Sequence, residues 1–342
     1  MKLSDFNYNL PKELIAQKPA APRDSSRLMV LDRNKKTIAH RHFYDIFDYL
    51  HQGDVLVLNN TKVFPARLFG KRKDTGGKVE VFLLKDLGQG KWESLIGNRR
   101  KKLGQIIQFG KGLECEILKR VDESVWQVKF NKQGQALEKL IEQLGKTPIP
   151  PYIKYQNAGP SLKQNYQTVF AKYKGSVAAP TAGFHFTKKL LARLKSRGVQ
   201  IEYVTLHVGL GTFAPVKEPD VKRHKMHVEW ARIDKGTAER LNSAKKEGRR
   251  IIAVGTTSVR TLESFVKNNK LAAGNHWTNI FIYPGYKFKF INALITNFHL
   301  PKSTLLMLIS ALAGRNFILK AYQQATRKKY RFYSFGDAMF IV

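Results

Sequence analysis

The feature that most limits the fold is a change of texture along the chain. Over residues 53–130 the sequence runs in short stretches broken by glycines. The stretches include Asp54-Val55-Leu56-Val57-Leu58, Lys78-Val79-Glu80-Val81-Phe82-Leu83-Leu84, Glu114-Cys115-Glu116-Ile117-Leu118 and Val125-Trp126-Gln127-Val128-Lys129-Phe130. Gly76-Gly77, residues 88–90 and residues 110–112 read as the turns between them. Strands with one wet face alternate apolar and polar side chains, and several at close spacing predict a small antiparallel barrel or sandwich. Residues 136–144 then have helical spacing, and Thr147-Pro148-Ile149-Pro150-Pro151 breaks the chain at a boundary.

Beyond that boundary strands and helices alternate. Thr187 is placed as N-cap of a helix over 188–197, with Gly198 as its stop, and 199–208 reads as a strand. A helix over 235–247 closes at Gly248, followed by a short buried strand over 250–254 and a helix over 259–267. Residues 279–283 and 292–296 read as strands, and Ser303 caps a final apolar helix ending at Gly314. Short connections between alternating elements give β/α architecture.

The bulk properties narrow the class. With 43% hydrophobic residues the chain can build a core. No run reaches the roughly 20 apolar residues a membrane span needs, and 305–313 is short enough to be a buried helix. The start of the chain has no charged-then-apolar signal pattern. The lone cysteine, Cys115, rules out an internal disulfide framework and a cysteine-based zinc cluster. A cytosolic protein without membrane contact is expected. The net charge of +34 and pI near 10.2 point to a polyanion, because phosphate neutralisation releases counterions. The alternative is a set of merely solvated lysines. Clusters at Lys71-Arg72-Lys73, Arg99-Arg100-Lys101-Lys102, Lys222-Arg223-His224-Lys225 and Arg327-Lys328-Lys329 fall in both halves of the sequence. A folded basic surface is expected rather than a basic tail.

The unusual residues gather where strands end. Residues 179–187, 207–213, 255–258 and 297–304 carry glycines, threonines and histidines beside predicted helix starts or strand ends. In α/β folds ligands bind at the carboxyl ends of strands, so these loops can converge on one pocket. Gly255-Thr256-Thr257-Ser258 suits a phosphate or carboxylate at a helix N-terminus, or is a plain cap. Arg260 could clamp a carboxylate, or lie on the surface. His207-x-Gly209-x-Gly211 lacks the third glycine and the following helix of a dinucleotide fingerprint. His224, His227 and Glu229 could be read as metal ligands, but pairing of His227 with a carboxylate or substrate fits better, and no metal is expected. Phe332-Tyr333-Ser334-Phe335 with Asp337 is either a docking strand or a stacking surface for bases.

Several strings together carry a family resemblance. They include Pro11-x-x-Leu14-Ile15-Ala16-Gln17-x-Pro19, Arg23-Asp24-x-Ser26-Arg27-Leu28 and Leu58-Asn59-Asn60-Thr61-Lys62-Val63-x-Pro65-Ala66-Arg67. Further on stand Gly175-Ser176-Val177-Ala178-Ala179-Pro180-Thr181-Ala182-Gly183, Thr205-Leu206-His207-Val208-Gly209, Ala253-Val254-Gly255-Thr256-Thr257-Ser258 and Thr296-Asn297-Phe298-His299-Leu300-Pro301-Lys302. The chain resembles the S-adenosylmethionine:tRNA ribosyltransferase-isomerase family of queuosine biosynthesis from end to end. Phe184, Asn279 and Val228 are small departures, and Asn279 removes a carboxylate from that position.

The resemblance implies a large α/β domain, residues 1–61 plus 147–342, carrying an inserted small, mostly antiparallel β-barrel domain, residues 62–146. It implies S-adenosylmethionine as a consumed co-substrate, and a tRNA with a GUN-type anticodon as partner, with no obligate protein partner. The reaction it implies places an epoxycyclopentane ring on the 7-aminomethyl group of a deazaguanine and releases adenine and methionine. His185, His207, His299, Glu229, Glu263 and Asp337 are then the available acids and bases, without assigned roles. Thr181, Gly183, Gly209, Gly211, Gly255, Thr256, Thr257, Arg260 and Asn297 are the candidates for holding S-adenosylmethionine. Arg67 joins Lys71, Arg72, Lys73, the cluster 99–102 and the cluster 327–329 as candidate RNA contacts. A conventional RNA methyltransferase lacks its expected glycine-rich first loop here, and a passive RNA-binding protein leaves the polar strand-end loops unexplained.

Overall fold

The structure, a computed structural model, describes residues 1–97, 101–154, 163–209, 216 and 218–342. The chain forms two compact units. One comprises Met1–Lys62, Pro150–Tyr173 and Ala179–Val342; the other comprises Val63–Ile149 and Lys174–Ala178.

The larger unit is built on a nine-stranded mixed sheet. Its strands follow the order Gly274–Thr278, Glu229–Ile233, Gln200–Leu206, Val55–Asn59, Ile251–Val254, Ala293–Asn297, Ala338–Ile341, Arg27–Asp32 and Thr37–His42. The four strands from Gln200–Leu206 to Ala293–Asn297 in that order are parallel, so their carboxyl ends share one edge. Ala338–Ile341 runs antiparallel to Ala293–Asn297 and parallel to Arg27–Asp32. The residues just before those two strands therefore reach the same edge.

Val55–Asn59, with every residue buried, lies in the middle of this sheet. The run shares the glycine-broken texture of residues 53–130, yet it belongs to the larger unit, as the domain bounds 1–61 implied by the resemblance have it. A parallel strand covered on both faces needs apolar side chains at consecutive positions, and Val55-Leu56-Val57-Leu58 is continuous rather than alternating. Leu56, Leu58, Ile252, Val254, Ile295 and Phe340 pack with Leu190, Leu191 and Leu194 of the helix Lys188–Ser196. That helix starts where expected because the Thr187 hydroxyl accepts from the Leu190 amide at 3.1 Å.

Three elements differ from the reading. The helix Gly255–Ser264 begins four residues early, since Gly255 at φ +84° turns the chain straight from strand into helix. The strand is Gly274–Thr278 and not 279–283, because the Ile280 amide donates to Thr278 Oγ1 and its carbonyl accepts from Arg260. The helix Thr304–Ala313 is followed, after a turn at Gly314, by a further helix Arg315–Arg327. Among the described residues no single helix is long and apolar enough to cross a membrane.

The smaller unit holds a closed antiparallel barrel. Its order is Val125–Phe130, Lys91–Ile96, Lys78–Gly88, Arg67–Arg72, Ile106–Gly110 and Leu113–Arg120. Val79, Val81 and Leu83 point inward while Glu80 and Phe82 alternate with them, as the one-sided pattern demands. Gly70 permits closure, because a Cβ there would stand 2.5 Å from the Gln108 carbonyl oxygen.

Candidate active site

A cavity of about 330 Å³ opens at the strand-end edge of the larger unit. Residues 179–182, Val208, residues 255–257, residues 296–303 and the pair Tyr333-Ser334 line it, together with Tyr152. Four of the sequence-predicted loops thus meet at one place. Most of the lining is apolar, with the threonines, Asn297, His299, Lys302, Ser303, Ser334 and the two tyrosines as the polar points.

One wall is built around Asn297, the last residue of its strand. Its Nδ2 donates to the Tyr333 carbonyl at 3.2 Å, and its Oδ1 accepts from Thr181 Oγ1 at 3.1 Å. These two bonds fix the orientation of the amide. The same Nδ2 lies 3.1 Å from His185 Nε2, so that nitrogen accepts and the proton sits on Nδ1. Nδ1 in turn lies 2.7 Å from Ser26 Oγ. Burial pushes the His185 imidazole down to about 3, with Arg331 and Arg23 adding to the effect. It is a neutral ring with both nitrogens engaged. Next to it, Asp337 accepts from the Arg27 amide at 3.1 Å and the Arg331 amide at 2.8 Å, and pairs with the Arg331 guanidinium. Tyr152 Oη and Ser334 Oγ are 2.6 Å apart. Gln17 holds this side in place by donating to the Tyr152 carbonyl and accepting from the Lys154 amide.

The wall formed by the start of Gly255–Ser264 is different. Ser258 Oγ donates to the Val254 carbonyl and Thr261 Oγ1 to the Thr257 carbonyl. Thr257 is only 6% exposed, yet its Oγ1 has no hydrogen-bond partner among the described residues. Three residues on, on the same helix face, Arg260 pairs through Nη1 with Glu229, while Nη2 is buried without a partner among the described residues. Glu229 Oε1 also accepts from the Gly209 amide at 2.8 Å, which ties the pair to the strand-end segment. An unmade hydrogen bond at a buried group costs about 1–3 kcal/mol, so these two atoms are the ones on this helix that a further partner would stabilise.

The remaining candidates take distinct positions. His299 lines the cavity; its Nε2 is 2.9 Å from Thr296 Oγ1, its Nδ1 bonds to no described residue, and burial pushes it down to about 3. His207 stacks on Trp230, its Nδ1 is 2.8 Å from Thr61 Oγ1, and burial pushes it down to about 4. Glu263 is committed to the amides of Lys289, Phe290 and Ile291. Gly183 sits behind the cavity, where a Cβ would meet the Phe170 ring at 2.7 Å. Gly211, Arg99 and Arg100 lie outside the described residues.

Of the basic candidates, Arg67 pairs with Glu80, Lys73 stands 3.6 Å from Glu114 and Lys101 lies 5.8 Å over the Trp126 ring, all in the barrel unit. Lys71 and Lys102 are exposed there and Arg72 is half-buried. Arg327, Lys328 and Lys329 are exposed at the end of Arg315–Arg327, in the larger unit. The C-terminal aromatics Phe332, Tyr333 and Phe335 are buried, Tyr333 against the cavity that it lines, so they form no exposed stacking surface for RNA bases. His224 packs edge-on against Phe281, and no group of three His, Cys, Asp or Glu poised for a metal occurs among the described residues. Sequence reasoning gave no site role to Ser26, Tyr152, Thr296 or Ser334. The signals were that Ser26 and Thr296 fall inside family strings and Ser334 inside the C-terminal aromatic run; Tyr152 had none.

A mixed sheet with a parallel core, whose strand-end loops border a cavity at the carboxyl ends of the strands, defines an α/β protein of the doubly wound kind, in which ligands are placed at that edge. The family model described as queuosine biosynthesis protein matches residues 3–341. The S-adenosylmethionine:tRNA ribosyltransferase-isomerase of Natranaerobius thermophilus is 52% identical over 345 residues, covering 100% of this chain and 99% of the relative. That of Sulfurihydrogenibium sp. is 54% identical over 343 residues, covering 100% of both. A crystal structure of S-adenosylmethionine tRNA ribosyltransferase from Thermotoga maritima is 38% identical with a TM-score of 0.58, covering 99% of this chain and 100% of that one. The chain belongs to the queuosine biosynthesis protein family.

Proposed function

We infer that this chain is an S-adenosylmethionine:tRNA ribosyltransferase-isomerase. It transfers and isomerises the ribosyl part of S-adenosylmethionine onto 7-aminomethyl-7-deazaguanine at the tRNA wobble position. The product is epoxyqueuosine in tRNA, with adenine and methionine released. The observation that carries this is the 52–54% identity, over the whole chain, to relatives of that name.

The strand-end cavity is our candidate for the S-adenosylmethionine site, and its volume falls in the roughly 300–1,000 Å³ range of small-molecule pockets. In this reading Thr256, Thr257 and the Nη2 of Arg260 receive the carboxylate of the methionine part. Tyr152 and Tyr333, with ring centroids 4.8 Å apart, offer the aromatic side on which adenine rests. Thr181, Asn297, Gly209 and Gly255 shape the backbone and amide edges around it. The sulfonium acidifies the adjacent C5′ protons, so a neutral base can start ring opening. His299, a neutral ring lining the cavity with Nδ1 unengaged among the described residues, is the candidate for that proton; His185, Glu229 and Asp337 frame the site through the bonds given above. The clusters 71–73, 99–102 and 327–329 are candidate phosphate contacts for a tRNA with a GUN-type anticodon. The protein works in the cytoplasm. The sulfonium supplies the positive charge that the developing carbanion needs, so turnover requires no metal.

The test is product identity. Incubated with S-adenosylmethionine and tRNA carrying the aminomethyl-deazaguanine, the protein should release adenine and methionine in equal amounts, with or without a chelator. Release of S-adenosylhomocysteine instead would make it a methyltransferase, and release of nothing would leave it an RNA binder.

A further inference from the structure

The edge of the larger sheet carries a face that the pocket does not use. Strands Glu229–Ile233 and Gly274–Thr278 extend the parallel core antiparallel from Gln200–Leu206, with Gly274–Thr278 at the sheet edge. In Glu229–Ile233 the residues Glu229, Ala231 and Ile233 are buried, which leaves Trp230 and Arg232 on the other face. Trp277 stands directly opposite Trp230 in the register, on that same face, and is 48% exposed. The His207 ring stacks on Trp230 at 4.8 Å between centroids, with the planes 17° apart. Beside them Tyr173 is 40% exposed, with the Arg232 guanidinium 5.9 Å and the Lys172 ammonium 5.2 Å from its ring centroid. Among the described residues no carboxylate pairs with Arg232 or Lys172.

Exposed aromatic rings on a sheet face forgo burial that the rest of this sheet obtains. Combined with cations that have no carboxylate partner among the described residues, they match the chemistry of unstacked RNA: rings take the faces of bases, and guanidinium and ammonium take the phosphates between them. We propose that this face, Trp230, Trp277 and Tyr173 with Arg232 and Lys172, is where single-stranded RNA stacks during the reaction. The inference rests on tRNA being the substrate. The next residue after His207 is Val208, which lines the cavity, so the face and the pocket are joined by one peptide bond. Bases flanking the reacting nucleotide are the natural occupants.

The experiment uses the full chain and an anticodon-bearing tRNA transcript, with affinity read by fluorescence anisotropy. Trp277→Ala and Tyr173→Ala should each weaken RNA binding about tenfold, the size expected for one lost base stack. Trp277→Phe should stay within about twofold of wild type, and S-adenosylmethionine affinity should not change in any of them. Arg232→Gln should lower the slope of log affinity against log salt by about 0.7, the value for one single-strand phosphate contact. Wild-type RNA affinity in both alanine variants overturns the proposal. So does a wild-type dimer, seen by sedimentation, that Trp277→Ala splits without changing RNA affinity. A wild-type protein that releases no adenine, yet loses RNA affinity in the variants, would overturn the assigned reaction and leave the face standing.

Discussion

The two polar walls of the cavity are built on opposite principles. Around Asn297 the protein satisfies itself: the amide serves Tyr333, Thr181 and His185 together, and His185 hands its remaining nitrogen to Ser26. At the start of Gly255–Ser264 two buried donors, Thr257 Oγ1 and Arg260 Nη2, have no described partner. A wall whose groups complete one another adds rigidity and resists substitution. A wall with open donors is less stable alone than it would be with a ligand, because a bound group would remove the desolvation penalty. On the proposed reading the difference separates residues that hold the site's shape from those that would receive a ligand, although Asn297 and Thr257 line the same cavity.

The largest effect should come from the residue that belongs to both descriptions. Arg260 is buried against Glu229, so Arg260→Met should lower unfolding free energy by about 3–5 kcal/mol by removing the counter-charge of a buried carboxylate. Adding Glu229→Leu should restore most of that stability in urea titrations. The double variant should still bind S-adenosylmethionine poorly, since the open Nη2 is gone. If it bound like wild type, the second wall would be a frame too.

A smaller effect follows from the neutral histidines. His185 and His299 are both pushed down to about 3, against about 6.5 in an unfolded chain. Between those values the unfolded chain binds protons that the folded one refuses, so stability falls as pH drops from about 6.5 toward about 3. The slope should approach 1.4 kcal/mol per pH unit for each ring. With His207 also pushed down to about 4, His185→Gln should remove about a third of the histidine slope between about pH 6 and about pH 4.5. Its survival at full size would mean that His185 is protonated in the fold, and the closed wall would lose its central neutral acceptor.

How much of this was legible in the sequence depended on how local the cause is. The helix Lys188–Ser196 was readable because its cap lies three residues from the amide it serves. The strand-end loops stood out because glycine, threonine and histidine cluster there against apolar strands. Texture alone left Val55–Asn59 with the barrel strands, because a short apolar run does not say which sheet covers it; the domain bounds implied by the resemblance put it in the larger unit. Residues 279–283 looked like a strand, but their backbone is drawn to Thr278 and Arg260 by contacts that composition does not carry. The same holds for the site's inner frame. Ser26 meets His185 across 159 positions, and Arg260 meets Glu229 across 31, so neither link leaves a spacing to find. The closed wall was hidden for that reason, whereas the open one announced itself through Gly255-Thr256-Thr257.

Thr257 tests the contrast most directly, because its hydroxyl has nothing in the described protein to lose. Thr257→Val keeps the shape and removes only the unpartnered oxygen, so its stability should be within about 1 kcal/mol of wild type, or higher. Titration calorimetry with S-adenosylmethionine, run beside urea unfolding of the same preparations, should then show affinity weakened about tenfold, the loss of one bond to a charged group. Unchanged affinity would contradict the account. So would a stability loss of the same size as the affinity loss, since Thr257 would then belong to the frame rather than to the ligand.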